Sequence, residues 1–104
     1  MDISALQARL RQFSADLNWA PYQTPKNLAM AMIVEAGELV EIFQWMTPEQ
    51  SQQAGQDPEI QQHLADEIAD VLIYLVQIAD HTGVDLQQAV EQKIGKNALK
   101  YPAT

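Results

Sequence analysis

The 104-residue chain contains no cysteine. That absence excludes disulfides, thiolate metal sites and cysteine nucleophiles, and it fits a reducing compartment. Basic residues are scarce, with six Lys and Arg against fourteen Asp and Glu for a net charge of −8. Polymeric DNA and RNA are held by many Lys and Arg contacts to phosphate, so neither is an expected partner. Nor is there a charge-free apolar run of the ~20 residues that a membrane-spanning helix requires. The apolar stretch Val71–Ala79 is far shorter, and the N-terminal segment carries Asp2, Arg9 and Arg11, unlike a secretory leader. The expectation is a cytoplasmic protein with no membrane partner. No segment shows sustained strand alternation, and P-loop, GxGxxG, GxSxG and HExxH patterns are all missing.

What the chain does have is clear helix punctuation. Thr24-Pro25, Thr47-Pro48 and Asp57-Pro58 each set a capping side chain before a proline suited to a first helical turn. Thr47 with Gln50, and Asp85 with Gln88, have the spacing of capping boxes. Gly83 suits a helix C-terminus, and Pro102 ends the last helix. These signals predict an all-α chain forming one domain over 1–104, with main helices over about 2–17, 25–46, 58–81 and 85–100. A short turn of helix over 48–53 makes it a four-to-five-helix bundle. In the third main helix, Leu64, Ile68, Val71, Leu72, Leu75 and Ala79 form the expected core stripe, with Ile73 and Val76 on other faces. From Val71 to Ala79 this helix is apolar almost all round, interrupted by Gln77. Such a helix is usually covered on more than one side, which predicts a second subunit related by a two-fold axis.

The acids are distributed unevenly. All but Asp2 and Asp16 fall between Asn27 and Gln92, a span with no Lys or Arg. Glu35 and Glu38 are three apart, as are Glu67 and Asp70, so each pair projects to one side of its helix. Both pairs adjoin apolar stripes. Stacking the two helices would bring four carboxylates together, a self-repelling cluster without compensation. One reading is a solvated acidic face. The other is a Mg²⁺ site, with Mn²⁺ as a substitute, since hard cations take oxygen ligands and leave positions for water and phosphate oxygens. Glu41 extends the first pair by three more and could reach an outer shell or a second ion. A di-iron centre would need Glu-x-x-His from two helices. Ile60 and Ile78 stand where those glutamates would precede His63 and His81, so both histidines are expected at the surface near helix ends.

Lys93, Lys96 and Lys100 recur at spacings of three and four and share one face with Asn97, followed by Tyr101. Basic residues near a helix C-terminus also complement the macrodipole. In a chain otherwise stripped of bases, a phosphate-binding face is an equal reading, and with a carboxylate-held metal it would grip a polyphosphate from two sides. Trp19, Tyr22, Trp45 and Tyr74 lie close to the linker or the acidic pairs. Trp19 and Trp45 could stack on a base or pack in the core. A non-catalytic helical assembly or nucleotide-binding protein is the alternative these residues leave open.

The stretches "TPKNLAMAMIVEAGELVEIFQW", "LADEIADVLIYL" and "KIGKNALKYP" resemble the MazG-like all-α nucleoside triphosphate pyrophosphohydrolases, most closely the dCTP pyrophosphatase branch. The resemblance runs from about Trp19 to Pro102. It implies Mg²⁺-dependent hydrolysis of a nucleoside triphosphate to the monophosphate and pyrophosphate, with nucleotide clean-up as the role. On the matching positions Glu35, Glu38, Glu67 and Asp70 would ligate metal, and Glu35 or Glu38 would orient the attacking water. Lys93, Asn97, Lys100 and Tyr101 would hold phosphates, and Trp19, Asn27 and Trp45 would border base and sugar. The family assembles as homodimers or as homotetramers made of two dimers, with sites near the interfaces. Relatives in the dCTP branch commonly read F-H-x-P-R-N-L where this chain has Y-Q-T-P-K-N-L, so Gln23 and Lys26 replace histidine and arginine. Glutamine offers a donor and an acceptor to a base edge but cannot become a cation, which leaves the base choice open.

Overall fold

The computed structural model describes residues 1–103 and contains five α-helices. They are α1 (Ile3–Asp16), α2 (Pro25–Phe43), α3 (Pro48–Gln52), α4 (Pro58–Thr82) and α5 (Leu86–Lys100). Turns of 3-10 helix at Ala20–Tyr22 and Ala54–Gln56 fill two of the connections, and no strand occurs among the described residues.

The cap chemistry explains the boundaries. The side chains of Asp2, Thr24, Thr47, Asp57 and Asp85 each accept a backbone N–H in the first turn that follows, satisfying donors a helix start leaves unpaired. Thr47 and Gln50 form the full reciprocal capping box, whereas Asp85 accepts from Gln88 N–H without a return bond. α2 ends at Phe43, short of the expected residue 46. Pro48 disfavours helical backbone at Thr47, which is extended at ψ 161°, so the chain unwinds through Gln44–Met46. α4 closes on Gly83 in the left-handed conformation (φ 73°), with its N–H donating to the Ala79 carbonyl.

α2 and α4 pack side by side and form the largest helix–helix contact of the chain. Leu28 of α2 and Val76 and Ala79 of α4 are buried, and Ala54 seals the connecting turn against α4. α1 crosses a different part of α4. It is tied there by the Arg11–Asp80 ion pair (2.6 Å) and by Gln7 Nε2 donating to the Val76 carbonyl (3.2 Å). This contact corrects the expected core stripe. Val76 is 0% exposed, while Ile68 and Leu75, predicted in the core, are exposed. A helix apolar on all sides does not reveal which side its own chain will cover. Here α1 covers the side of Val76 and Gln77, and a stripe through Ile68 and Leu75 stays open.

α5 behaves differently. Leu86 and Ala89 are half-buried, but every residue from Glu91 to Lys100 is exposed, and α5 makes no extensive contact with any other helix. The molecule therefore measures 43 × 38 × 24 Å with a projecting C-terminal helix.

Candidate metal centre and nucleotide pocket

Mid-helix positions on α2 and α4 supply the acidic site. The i, i+3 spacing sends Glu35 and Glu38 toward α4, where Glu67 meets them. One carboxylate oxygen from each of the three lies within 4.8 Å of the others. Glu67 is 7% exposed, and its Oε2 is sealed from solvent without a hydrogen-bond partner. A buried carboxylate oxygen with no donor is costly, and among the described residues no Lys or Arg pairs with any of the three.

The electrostatics follow from that crowding. Glu35 is pushed from 4.5 to about 7, first by a hydrogen bond shared with Glu67, then by burial, then by Glu38. For Glu67 the bond shared with Glu35 pulls downward, but burial and the charges of Glu38 and Asp70 outweigh it, and the net direction is up. Among protein groups alone, the cluster holds protons that an exposed carboxylate would lose at neutral pH. A divalent cation fits it better than a proton does: the donors are hard oxygens, they converge, and one lone-pair site is already dehydrated and empty-handed.

Of the four predicted ligands, the structure brings three together. Asp70 stands beside them, close enough for its charge to raise Glu67, and it opens toward a cavity. Glu41 is exposed and outside the cluster. His63, expected merely at the surface, lies with Nε2 3.7 Å from Glu67 Oε1 at an i, i+4 spacing. That spacing was visible in the sequence and is the signal that could have linked the two.

The cavity is about 440 Å³ and lies between α1, the Asn18–Thr24 linker and α4. Trp19, Gln23, Tyr74 and Asp70 all line it, so three of the predicted base and sugar residues meet next to the carboxylates. Trp19 packs edge-on to Phe13, ring centroids 5.6 Å apart. Burial, then the negative charges of Glu35 and Asp70, raises the Tyr74 phenol above its ordinary pKa of 10.0. Arg9, Ser14 and Gln77 also line the cavity, and the sequence reading had not singled them out for it. Asn27 and Trp45 do not line it. Asn27 Nδ2 donates to the Tyr22 carbonyl (2.9 Å), bracing the linker, and Trp45 is 89% exposed.

Lys93, Lys96, Asn97, Lys100 and Tyr101 remain apart from all of this, exposed on α5 and just beyond it. Lys100 Nζ sits over the Tyr101 ring at 5.3 Å, and none of the three lysines forms an ion pair among the described residues.

The model of the MazG-like family matches residues 30–104. Human dCTP pyrophosphatase 1 is 41% identical over 102 residues, covering 98% of this chain and 58% of the relative. The mouse protein of the same name is 40% identical, with 97% and 58% covered. The chain thus spans just over half the length of these relatives. A crystal structure of a pyrophosphatase from Archaeoglobus fulgidus superposes with a TM-score of 0.89 at 36% identity, covering 99% of this chain and 94% of that one.

Proposed function

Because the chain belongs to the MazG-like family, we propose that it hydrolyses a nucleoside triphosphate to the monophosphate and pyrophosphate. Glu35, Glu38 and Glu67 would hold Mg²⁺ or Mn²⁺, with Asp70 completing the acidic set. The observation that carries this reading is the sealed, partnerless Oε2 of Glu67 within a knot of carboxylates that no Lys or Arg pairs with among the described residues. When bound, the ion supplies Lewis-acid neutralisation of phosphate charge. The residues of the chain do the rest. Glu35 or Glu38 accepts a hydrogen bond from the attacking water and orients it. The water oxygen bonds the α-phosphorus, the proton it loses passes to that carboxylate, the α–β phosphoanhydride bond breaks, and pyrophosphate leaves with the bridging oxygen. Trp19, Gln23 and Tyr74 enclose the base and sugar in the cavity, with Asn27 bracing the linker.

Lys93, Lys96, Asn97, Lys100 and Tyr101 hold the phosphates in this reading, and a second copy of the chain presents them. Two quantities support a homodimer, or a homotetramer made of two dimers. The chain exposes 8002 Å², where a folded monomer of this length exposes roughly 5,900 Å². Its radius of gyration is 16.6 Å, where about 13 Å is usual. The surplus lies on apolar residues such as Ile33, Val40, Ile68 and Leu75, which a partner would cover. The whole chain acts as one catalytic domain clearing surplus or non-standard nucleotides in the cytoplasm. No helix among the described residues is long and apolar enough to cross a membrane.

The test is pyrophosphate release from canonical and modified nucleotides with Mg²⁺ and with Mn²⁺. Turnover that Glu38→Gln abolishes, in a variant with unchanged helical content, is the expected result. No release from any nucleotide by the wild-type protein sinks the proposal.

A further inference from the structure

We propose that Gln23 and Gln77 form an uncharged hydrogen-bonding face that reads the substrate base, with Ser14 as the residue that positions it. This rests on the nucleotide-hydrolase reading above and names the substrate class for that site.

Ser14 is 6% exposed, a buried polar residue in the last turn of α1. Its hydroxyl donates to Gln23 Oε1 (2.5 Å), and its backbone carbonyl accepts the Trp19 N–H (2.9 Å). One residue therefore fixes both the ring and the amide that the linker lends to the cavity. A carboxamide has an acceptor oxygen and two N–H donors. With the oxygen engaged by Ser14, Gln23 has its Nε2 donors left for a ligand.

Gln77 lines the same cavity and is 9% exposed. It interrupts the apolar run of α4, its side chain makes no hydrogen bond among the described residues, and its amide atoms keep access to the solvent of the cavity. An amide largely withdrawn from bulk water but open to the cavity gains from a ligand that bonds it. The polar edge of a base would do so, and a carboxamide can both give and accept. Leu6, Leu10, Phe13 and Ile73 make the remaining wall apolar, so a mismatched polar group has little water to turn to.

The class that fits is a nucleotide whose base offers a carbonyl oxygen to Gln23. An amino group there would set donor against donor. Neither amide titrates near neutrality, so the preference holds across pH, unlike recognition by a histidine.

The experiment compares kcat/KM for 4-oxo and 4-amino pyrimidine deoxynucleoside triphosphates, at about pH 6 and about pH 8. Binding of the two monophosphates reads the same ratio without turnover. The wild type should favour the oxo base about tenfold at both pH values. Ser14→Ala frees the Gln23 amide to flip and should shrink the ratio to about twofold, and Ser14→Thr, which keeps the hydroxyl, should restore it. Gln77→Leu should weaken binding of both monophosphates. A wild-type preference for the amino base, or a ratio that Ser14→Ala leaves unchanged, overturns the inference while leaving the hydrolase reading intact. If the wild type turns over no nucleotide but binds the monophosphates with this ratio, the pocket stands and the reaction is wrong.

Discussion

The acidic centre and the basic helix are both polar, functional-looking surfaces, yet they fold by opposite rules. Glu35, Glu38 and Glu67 are held at mid-helix on two elements whose apolar flanks bury one another, so the chain builds that half of the site unaided. Lys93, Lys96 and Lys100 occupy a helix that touches the bundle through its first turn only. Charge that must be concentrated against its own repulsion needs a rigid frame. Charge spaced along one exposed helix face carries no such crowding and can stay solvated.

The sharpest way to break that contrast is to damage each half separately. Glu67→Gln removes a ligand from the framed half, and pyrophosphate release should fall by at least roughly 10²-fold. The same change relieves crowding, so metal-free thermal stability should hold or rise. A marked drop in metal-free Tm would mean that Glu67 serves the fold rather than an ion. Lys93→Ala combined with Lys100→Ala should reduce activity by a similar order, about 10²-fold, with Tm unaffected. Mixing these chains with Glu67→Gln chains, after partial unfolding and reassembly, then decides where the halves come from. Shared sites recover part of the activity, because one site in each mixed dimer receives both intact halves. Sites confined to one chain recover none.

A smaller effect is expected from the open apolar stripe. Leu75→Glu should shift the assembly to monomers in analytical ultracentrifugation, with activity lost in proportion. A variant that stays oligomeric and active would place the interface elsewhere. Smaller again is the pH response. Native Glu35 holds its proton up to about 7 against 4.5 unfolded, so the folded chain binds more protons within that window. Metal-free stability should therefore decline as pH rises from 4.5 to about 7, the direction linkage requires when the native state is the better proton acceptor. Glu35→Gln should flatten the decline, and saturating Mg²⁺ should offset it by stabilising the ionised native form. A wild-type Tm that climbs through this window without metal contradicts the crowding. Least of all, Thr24→Ala should cost about 1 kcal/mol through loss of the α2 cap, read in denaturant titration, with kcat unchanged.

What the sequence made legible was local. Thr24, Thr47, Asp57 and Asp85 announce helix starts because a cap needs only neighbours along the chain, and Gly83 marks an end for the same reason. The i, i+3 acids were legible because helical periodicity alone sets their direction. The burial of Val76 and the exposure of Ile68 and Leu75 were not, since the choice of covered face belongs to α1, more than fifty residues away in sequence. The Ser14–Gln23 bond was hidden likewise, for nothing in "QFSADLNW" foretells that the hydroxyl turns to the linker. The detachment of α5 was not legible either, since local signals set a helix's bounds and not what it packs against, and its apolar residues Val90, Ile94 and Leu99 are exposed.

Gly83 decides how far that helix can reach. Its backbone is left-handed, and apart from its own chain neighbours nothing lies within 4 Å of where a Cβ would stand. A side chain there meets empty space and is opposed by chirality alone, at about 1–2 kcal/mol. If that preference were to win, α4 would run straight on into α5 as one unbroken spar, carrying the lysines outward with the axis instead of swinging them aside. A single achiral joint thus sets the bearing of a basic arm, and its compass is a torsion angle rather than a contact.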